Sequence, residues 1–199
     1  MTARTTQLLI VAAAFAVGLA SVLAVVLLVS GRMPAPIATT ASAVGGPFRL
    51  VDQNGRTVTD ADLKGRPFLV FFGFTHCPDV CPTTLFEVSE VLRQLGPDAD
   101  GVRALFVTVD PERDTPEKLK DYLSNFDPHL IGLTGMPDAV ERMLKVYRVY
   151  YKKVPSDGGG YTMDHTALVY LMDKQGRFVA PFNLKQGTAE AAANLRRYL

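Results

Sequence analysis

The sequence predicts a mixed α/β domain, one sheet covered by helices on both faces, carried behind an apolar N-terminal helix. Three observations predict it. "FLVFFGF" (68–74) is an unbroken apolar run of strand length, as expected for a central strand buried on both faces. Strand-like and helix-like patterns then alternate, the order that parallel strands with helical crossovers produce. Finally, "TALVYLM" (166–172) and "RFVAPF" (177–182) flank the turn "DKQG", which adds an antiparallel hairpin.

Bulk properties set the outer bounds. The chain has 199 residues, a formal net charge of +1 and 48% apolar residues. These values suit one medium globular domain with an added segment. Nearly balanced charge, with no block dense in Lys and Arg, argues against nucleic-acid binding. Two cysteines are too few for a disulfide framework, so they act as one pair.

Residues 1–7 form a short tail, and 8–30 are expected to be a transmembrane anchor. Leu8 to Val29 carry no charge, enough helix for a hydrocarbon core of ~30 Å. A cleaved signal peptide is the alternative, with "ASA" at 41–43 as its cleavage site. The apolar run exceeds the roughly 7–15 residues of a signal core, and the site lies well past its end, which favours a retained anchor. Arg4 and Arg32 bias the N-terminus only faintly to the inside. The domain would then face the outer, more oxidising compartment, where paired cysteines can do redox chemistry. Residues 31–46, rich in Pro, Ala, Thr and Gly, read as a tether, and 47–199 as the folded domain.

Within that domain, Asn54-Gly55 lies between two β-prone runs and predicts a hairpin. After "FLVFFGF" a helix presents Leu85, Val88, Leu92 and Leu95 on one face. "ALFVTVD" (104–110) is a second strand. The next helix has Thr115 as N-cap, Pro116 at its first position, and Leu119, Tyr122, Leu123 and Phe126 on one side. "LIGLTG" is a short strand. The helix opened by Pro137 buries Val140, Met143, Leu144 and Tyr147, and a last helix starts near Thr188.

Ligands of such folds gather outside the carboxyl ends of the parallel strands. Both cysteines lie there, in "FFGFTHCPDVCPTTLFEV" (71–88). Each precedes a proline, which disfavours helical geometry. Cys81 is therefore expected as the N-cap and Pro82 as the first residue of the following helix. The positive end of that helix should favour thiolate and lower the cysteine pKa. A structural staple closing so short a loop would gain little, because the entropic effect grows with loop length.

Two readings stay open from the residues alone. A redox pair needs only Cys77 and Cys81. A metal site needs a third ligand, and two thiolates with an imidazole suit copper or zinc. His76 adjoins Cys77 and points away from it in extended chain, so it packs beside the site. His129 stands at the wrong sheet edge. His165 opens a strand antiparallel to "FLVFFGF", which brings it beside the cysteine loop. Asp164, next to it, is a candidate for orienting the imidazole, and Asp79, inside the loop, is a candidate supporting residue.

With "FGFTHCPDVCP", "VTVDPERDTPEKLKDYL", "GLTG", "VYRVYYKKV" and "YTMDHTALVYLMD" in this order behind an apolar helix, the chain resembles the Sco/SenC family. Those are membrane-tethered, thioredoxin-like copper proteins of cytochrome c oxidase assembly. The resemblance implies a thioredoxin-like fold and Cu(I) or Cu(II) bound by Cys77, Cys81 and His165. It also implies delivery to, or thiol reduction at, the dinuclear copper centre of oxidase subunit II, with other copper chaperones as further partners. The place implied is the inner (cytoplasmic) membrane, crossed once, with the domain in the periplasm or an equivalent compartment.

The family often has Ser where this chain has Thr166, a change that keeps the hydroxyl. The "DPERDTP" block shows no chemistry of its own; Asp110, Pro111 and Arg113 are expected to shape a strand-to-helix loop or a partner surface. A metallochaperone is the first reading. A membrane-tethered thiol–disulfide oxidoreductase is the second, although CxxxC replaces the usual CxxC and no proline stands at His165-Thr166.

Overall fold

The computed structural model describes residues 3–156 and 158–199, apart from 31–43. It divides into two units, Met1–Thr40 and Ala41–Leu199. The first holds one helix, α1 (Ala3–Ser30). Its described side chains cover residues 10 and 13–25 only, and no helix among the described residues is long and apolar enough to cross a membrane. Most of the expected tether lies outside the described residues.

The second unit is built on a seven-stranded sheet in the order β2-β1-β5-β4-β3-β8-β9. Its strands are β1 (Arg49–Asp52), β2 (Thr57–Thr59), β3 (Phe68–Gly73), β4 (Arg103–Thr108), β5 (Leu130–Thr134), β8 (Val169–Met172) and β9 (Phe178–Pro181). A separate two-stranded ribbon pairs β6 (Tyr151–Pro155) with β7 (Tyr161–His165). The helices are α2 (Val80–Leu95), α3 (Pro116–Leu123), α4 (Pro137–Val146) and α5 (Thr188–Arg196).

β3 is the centre: all six of its residues are buried. It pairs parallel to β4 on one side and antiparallel to β8 on the other. Its alternating side chains supply both faces of the core. Phe71 stacks toward Phe106, which meets Tyr122 of α3. Phe72, one residue on, packs instead against Tyr147, just past α4, and Tyr170 of β8. Helices therefore cover both faces, and the mixed, thioredoxin-like sheet is as the sequence indicates.

Local signals act where expected. The Asp52 carboxylate accepts from the Asn54 and Arg56 amides, both at 2.8 Å, and fixes the β1–β2 turn. Gly55 there has φ 79°, a conformation that an L side chain resists. Thr115 caps α3 by accepting the Lys118 amide at 3.3 Å.

The β6–β7 ribbon is the element not foreseen. "KKVP" exposes Lys152, Lys153 and Pro155, so it lacks the apolar content by which the other strands show themselves. The strand expected over 166–172 is correspondingly shorter, starting at Val169, and His165 ends β7 rather than opening β8.

Candidate metal centre

Helix α2 starts two residues earlier than the prolines suggest. Its N-cap is Asp79, so Cys81 is the second helical residue. Pro82 fits there because the first-turn amides have no helical partner in any case. The Asp79 side chain makes no capping hydrogen bond. The Cys77 sulfur takes that place, accepting the Cys81 amide at 3.4 Å. Both cysteines are buried and unbridged.

Gly73, the last residue of β3, makes room for the second thiol. A Cβ at this position would lie 2.9 Å from Cys81 Sγ and 2.6 Å from the Phe106 ring, closer than real contacts allow. The end of the central strand is thus cut back to admit a sulfur.

His165 comes from the other side, at the end of β7 and opposite Tyr151. Its Nε2 stands 3.7 Å from Cys81 Sγ. Its Nδ1 meets the Thr166 carbonyl at 3.1 Å, and a proton on Nδ1 leaves the Nε2 lone pair facing the sulfur. Phe74 presents its ring edge-on to the imidazole at a 5.8 Å centroid distance. Thr166 locks the ribbon beside it: its hydroxyl accepts the Tyr150 amide at 3.1 Å, and its own amide donates to the Tyr150 carbonyl at 3.0 Å.

Burial decides the protonation states. It pushes the Cys81 thiol up, outweighing a hydrogen bond from the Phe74 backbone. The helix end therefore does not activate this thiol, contrary to the expectation from sequence, since Cys81 is fully enclosed and loss of hydration disfavours the anion. Burial also lowers the His165 pKa, against the Thr166 carbonyl and the Asp164 charge. At neutral pH the pair is a protonated thiol beside a neutral imidazole.

The remaining candidates fall outside this contact. Asp164 is exposed and reaches the ring through charge alone, the Nδ1 contact going to Thr166. Asp79 is exposed. His76 is also exposed and meets Thr75 Oγ1 at 3.1 Å. His129 lies between Asp127 (2.7 Å) and Asp100 (3.3 Å), and the Asp127 hydrogen bond raises its pKa. Among the described residues, no three His, Cys, Asp or Glu side chains are drawn together as tightly as a metal ion needs. The contacts run pairwise, Cys77 to Cys81 and Cys81 to His165, and offer two sulfurs and one imidazole nitrogen, a soft set.

Sequence reasoning missed the carboxylate that frames the cysteine loop. Asp114 is fully buried and accepts from the Thr75 hydroxyl (2.6 Å), the Thr75 amide (3.1 Å) and the Thr108 hydroxyl (2.7 Å). Three acids within "DPERD" (110–114), following an apolar strand, are the available signal.

Residues 37–199 match SCO1/SenC. The chain belongs to the SCO1/SenC family. It is 42% identical over 143 residues to a SCO2-like protein of Rickettsia prowazekii, covering 71% of this chain and 70% of that one. Among solved structures it is similar to Bradyrhizobium japonicum ScoI with copper bound, at 66% identity and a TM-score of 0.77 over 78% of this chain and 99% of that one. It is also similar to BsSco, a Sco-family cytochrome c oxidase assembly protein in which a disulfide switch was identified. There the identity is 26% and the TM-score 0.63, over 77% of this chain and 91% of that one.

Proposed function

We propose that this chain carries copper as cargo, held by Cys77, Cys81 and His165, and supplies it to the dinuclear copper centre of cytochrome c oxidase subunit II. One observation carries the reading: the 3.7 Å approach of His165 Nε2 to Cys81 Sγ at the mouth of α2. The copper-bound relative from B. japonicum and the oxidase-assembly role of BsSco supply its context. Two thiolates and an imidazole match Cu(I), and Cu(II) takes the same donors with a further ligand. A soft ion held by few donors leaves by ligand exchange with an acceptor's thiolates.

The surroundings suit a transfer surface. Val80 and Leu168, beside the two ligand segments, are 42% and 47% exposed. They line an open cleft of about 610 Å³ with Asp79, Phe182, Leu184 and Lys185. Exposed apolar side chains around a ligand site are what a docking partner covers. Ile10, Phe15, Val17 and Leu19 of α1 are likewise exposed, which fits an anchor over 8–30. The proposal completes this with an inner membrane, a domain in the outer compartment and other copper chaperones as donors.

A second reading rests on the Cys81 amide to Cys77 sulfur contact, which holds the two sulfur-bearing segments together. A tethered thiol–disulfide oxidoreductase would pass two electrons to an oxidised oxidase pair, its own thiols closing to a disulfide and the partner's sulfurs taking two protons. Only the reduced pair ligates metal, so the two roles are coupled.

Copper titration of the reduced, detergent-solubilised full chain separates them. The parent is expected to bind one equivalent, and Cys77→Ser, Cys81→Ser and His165→Ala each to bind far more weakly. Unchanged copper affinity in His165→Ala, with both cysteines still needed to reduce a model disulfide, would overturn the copper reading in favour of the oxidoreductase.

A further inference from the structure

The "DPERD" block has no part in the chemistry above, yet it touches both halves of the site. We propose that Asp110 and Arg113 are positioning residues that clamp the β6–β7 ribbon and so set His165 against the two sulfurs. The inference rests on the ligand role of His165 stated above.

Asp114, in the same loop, ties that loop to the cysteine segment through Thr75. Its backbone carbonyl accepts the Thr134 hydroxyl at 2.7 Å, so the loop is also fastened to β5. One side of the clamp is thereby fixed to the main sheet.

The other side grips Tyr161, where β7 begins. The Tyr161 hydroxyl donates to Asp110 Oδ1 at 2.9 Å. Arg113 donates through Nη1 to the Tyr161 carbonyl at 3.0 Å and through Nε to Asp110 Oδ2. Its guanidinium carbon lies 3.9 Å from the centre of the Tyr161 ring. The planar guanidinium thus lies against the ring while its fork donates to two acceptors, the Tyr161 carbonyl and Asp110. Its Nη2 is buried with no hydrogen-bond partner, so the group is placed by the ring rather than by a full set of acceptors.

Strand periodicity carries the effect onward. Tyr161, Met163 and His165 occupy one face of β7 because alternate residues share a face. Met163 is buried, while Thr162 and Asp164 are exposed. Fixing Tyr161 therefore fixes which way the imidazole faces. A second contact runs through aromatic rings: the Arg113 guanidinium lies 5.8 Å from the Phe74 ring, and Phe74 packs on His165. Lys153 Nζ also lies over the Tyr161 ring, 4.7 Å from its centre, but its ion pair with Glu112 is exposed on both sides and such a pair contributes little.

The test uses the full chain in detergent, with Arg113→Ala, Arg113→Lys and Tyr161→Phe. In the reduced, metal-free protein, amide exchange over 161–165 is expected to rise at least tenfold in Arg113→Ala, with β3 and β4 unchanged. The His165 ring signal should lose its aromatic shift. Copper affinity should fall by about 10–100-fold, the range for residues that orient a ligand. Added to His165→Ala, the same substitution should cost almost nothing further, since a positioning residue has no effect once its ligand is gone.

Arg113→Lys is expected to behave like Arg113→Ala, and Tyr161→Phe to move the same readouts less; Tyr161→Phe decides the matter if Arg113→Ala does not fold. Additive losses with His165→Ala, or exchange rising equally in β3 and β4, would overturn the clamp and leave a structural role. If the parent bound no copper, the ligand reading would fail, while the metal-free exchange and ring signals would still decide the clamp.

Discussion

Cys81 Sγ and His165 Nε2 stand 3.7 Å apart although 84 positions separate them in the chain. One is carried on the first turn of a helix and the other on the end of a ribbon strand. His165→Ala should therefore remove the proposed metal donor without unsettling the fold. Copper affinity is expected to fall by more than the ~10–100-fold typical of outer partners, with the chemical denaturation midpoint almost unchanged. Titration against a competing chelator, alongside a urea melt, reads both.

Gly73→Ala should lower stability and affinity together. Its Cβ would meet Phe106 at 2.6 Å and Cys81 Sγ at 2.9 Å, so a rigid aromatic and a buried thiol must both yield. Overpacking of this kind costs about 1–3 kcal/mol. Urea denaturation measures that loss, and copper affinity should fall with it because the displaced atom is a proposed donor.

The buried thiol gives a pH dependence of definite sign. A group whose folded pKa is raised stabilises the fold below its unfolded value, near 9.0 for this thiol, and loses that contribution as pH rises further. Metal-free, reduced protein should therefore weaken above pH ~9, by up to about 1.4 kcal/mol per pH unit per group. Burial raises Tyr122 and Tyr147 in the same sense. Only the Cys81 share of the slope should vanish in Cys81→Ser, as denaturation at pH 7 to 10.5 would record.

The same proton must leave when metal arrives. Copper binding should release at least one proton near neutral pH, and apparent affinity should climb as pH rises. His165 adds no proton above its own lowered pKa. Uptake of a proton, or a flat profile from pH 6.5 to 8.5, would contradict the assigned protonation states; calorimetry in buffers of different ionisation enthalpy makes the measurement.

Thr166→Val should loosen the ribbon next to the imidazole. The hydroxyl accepts the Tyr150 amide, and its loss costs about 1 kcal/mol. Faster amide exchange at Tyr150 is expected in Thr166→Val and not in Thr166→Ser.

What the sequence discloses depends on which force dominates locally. β3 announces itself because burial on both faces demands an unbroken apolar run, and α2 because Leu85, Val88, Leu92 and Leu95 all reach the core. The α3 cap is equally plain, since Thr115 and Pro116 have one local use. β6 and β7 are hidden for the converse reason: they pack few side chains, and only the glycines of "GGG" (158–160) between two alternating runs hint at a turn. The Cys81 pKa is illegible for another reason. Sequence shows the helix end, but only the folded chain shows that no water reaches the sulfur. Asp114 was overlooked because a carboxylate after a strand usually faces solvent, and this one is enclosed by three donated hydrogen bonds.

The ribbon and the seven-stranded sheet are distinct ladders. A seam therefore runs beside the cysteines, with both sulfurs on the block of the main sheet and the imidazole on a ribbon fastened to it by side chains rather than by ladder hydrogen bonds. Moving that ribbon back would part the proposed donors while breaking no rung of the main sheet. With the proposed ligand set, release of metal would begin at the imidazole once those side-chain contacts part, and an incoming acceptor would not have to unfold its host.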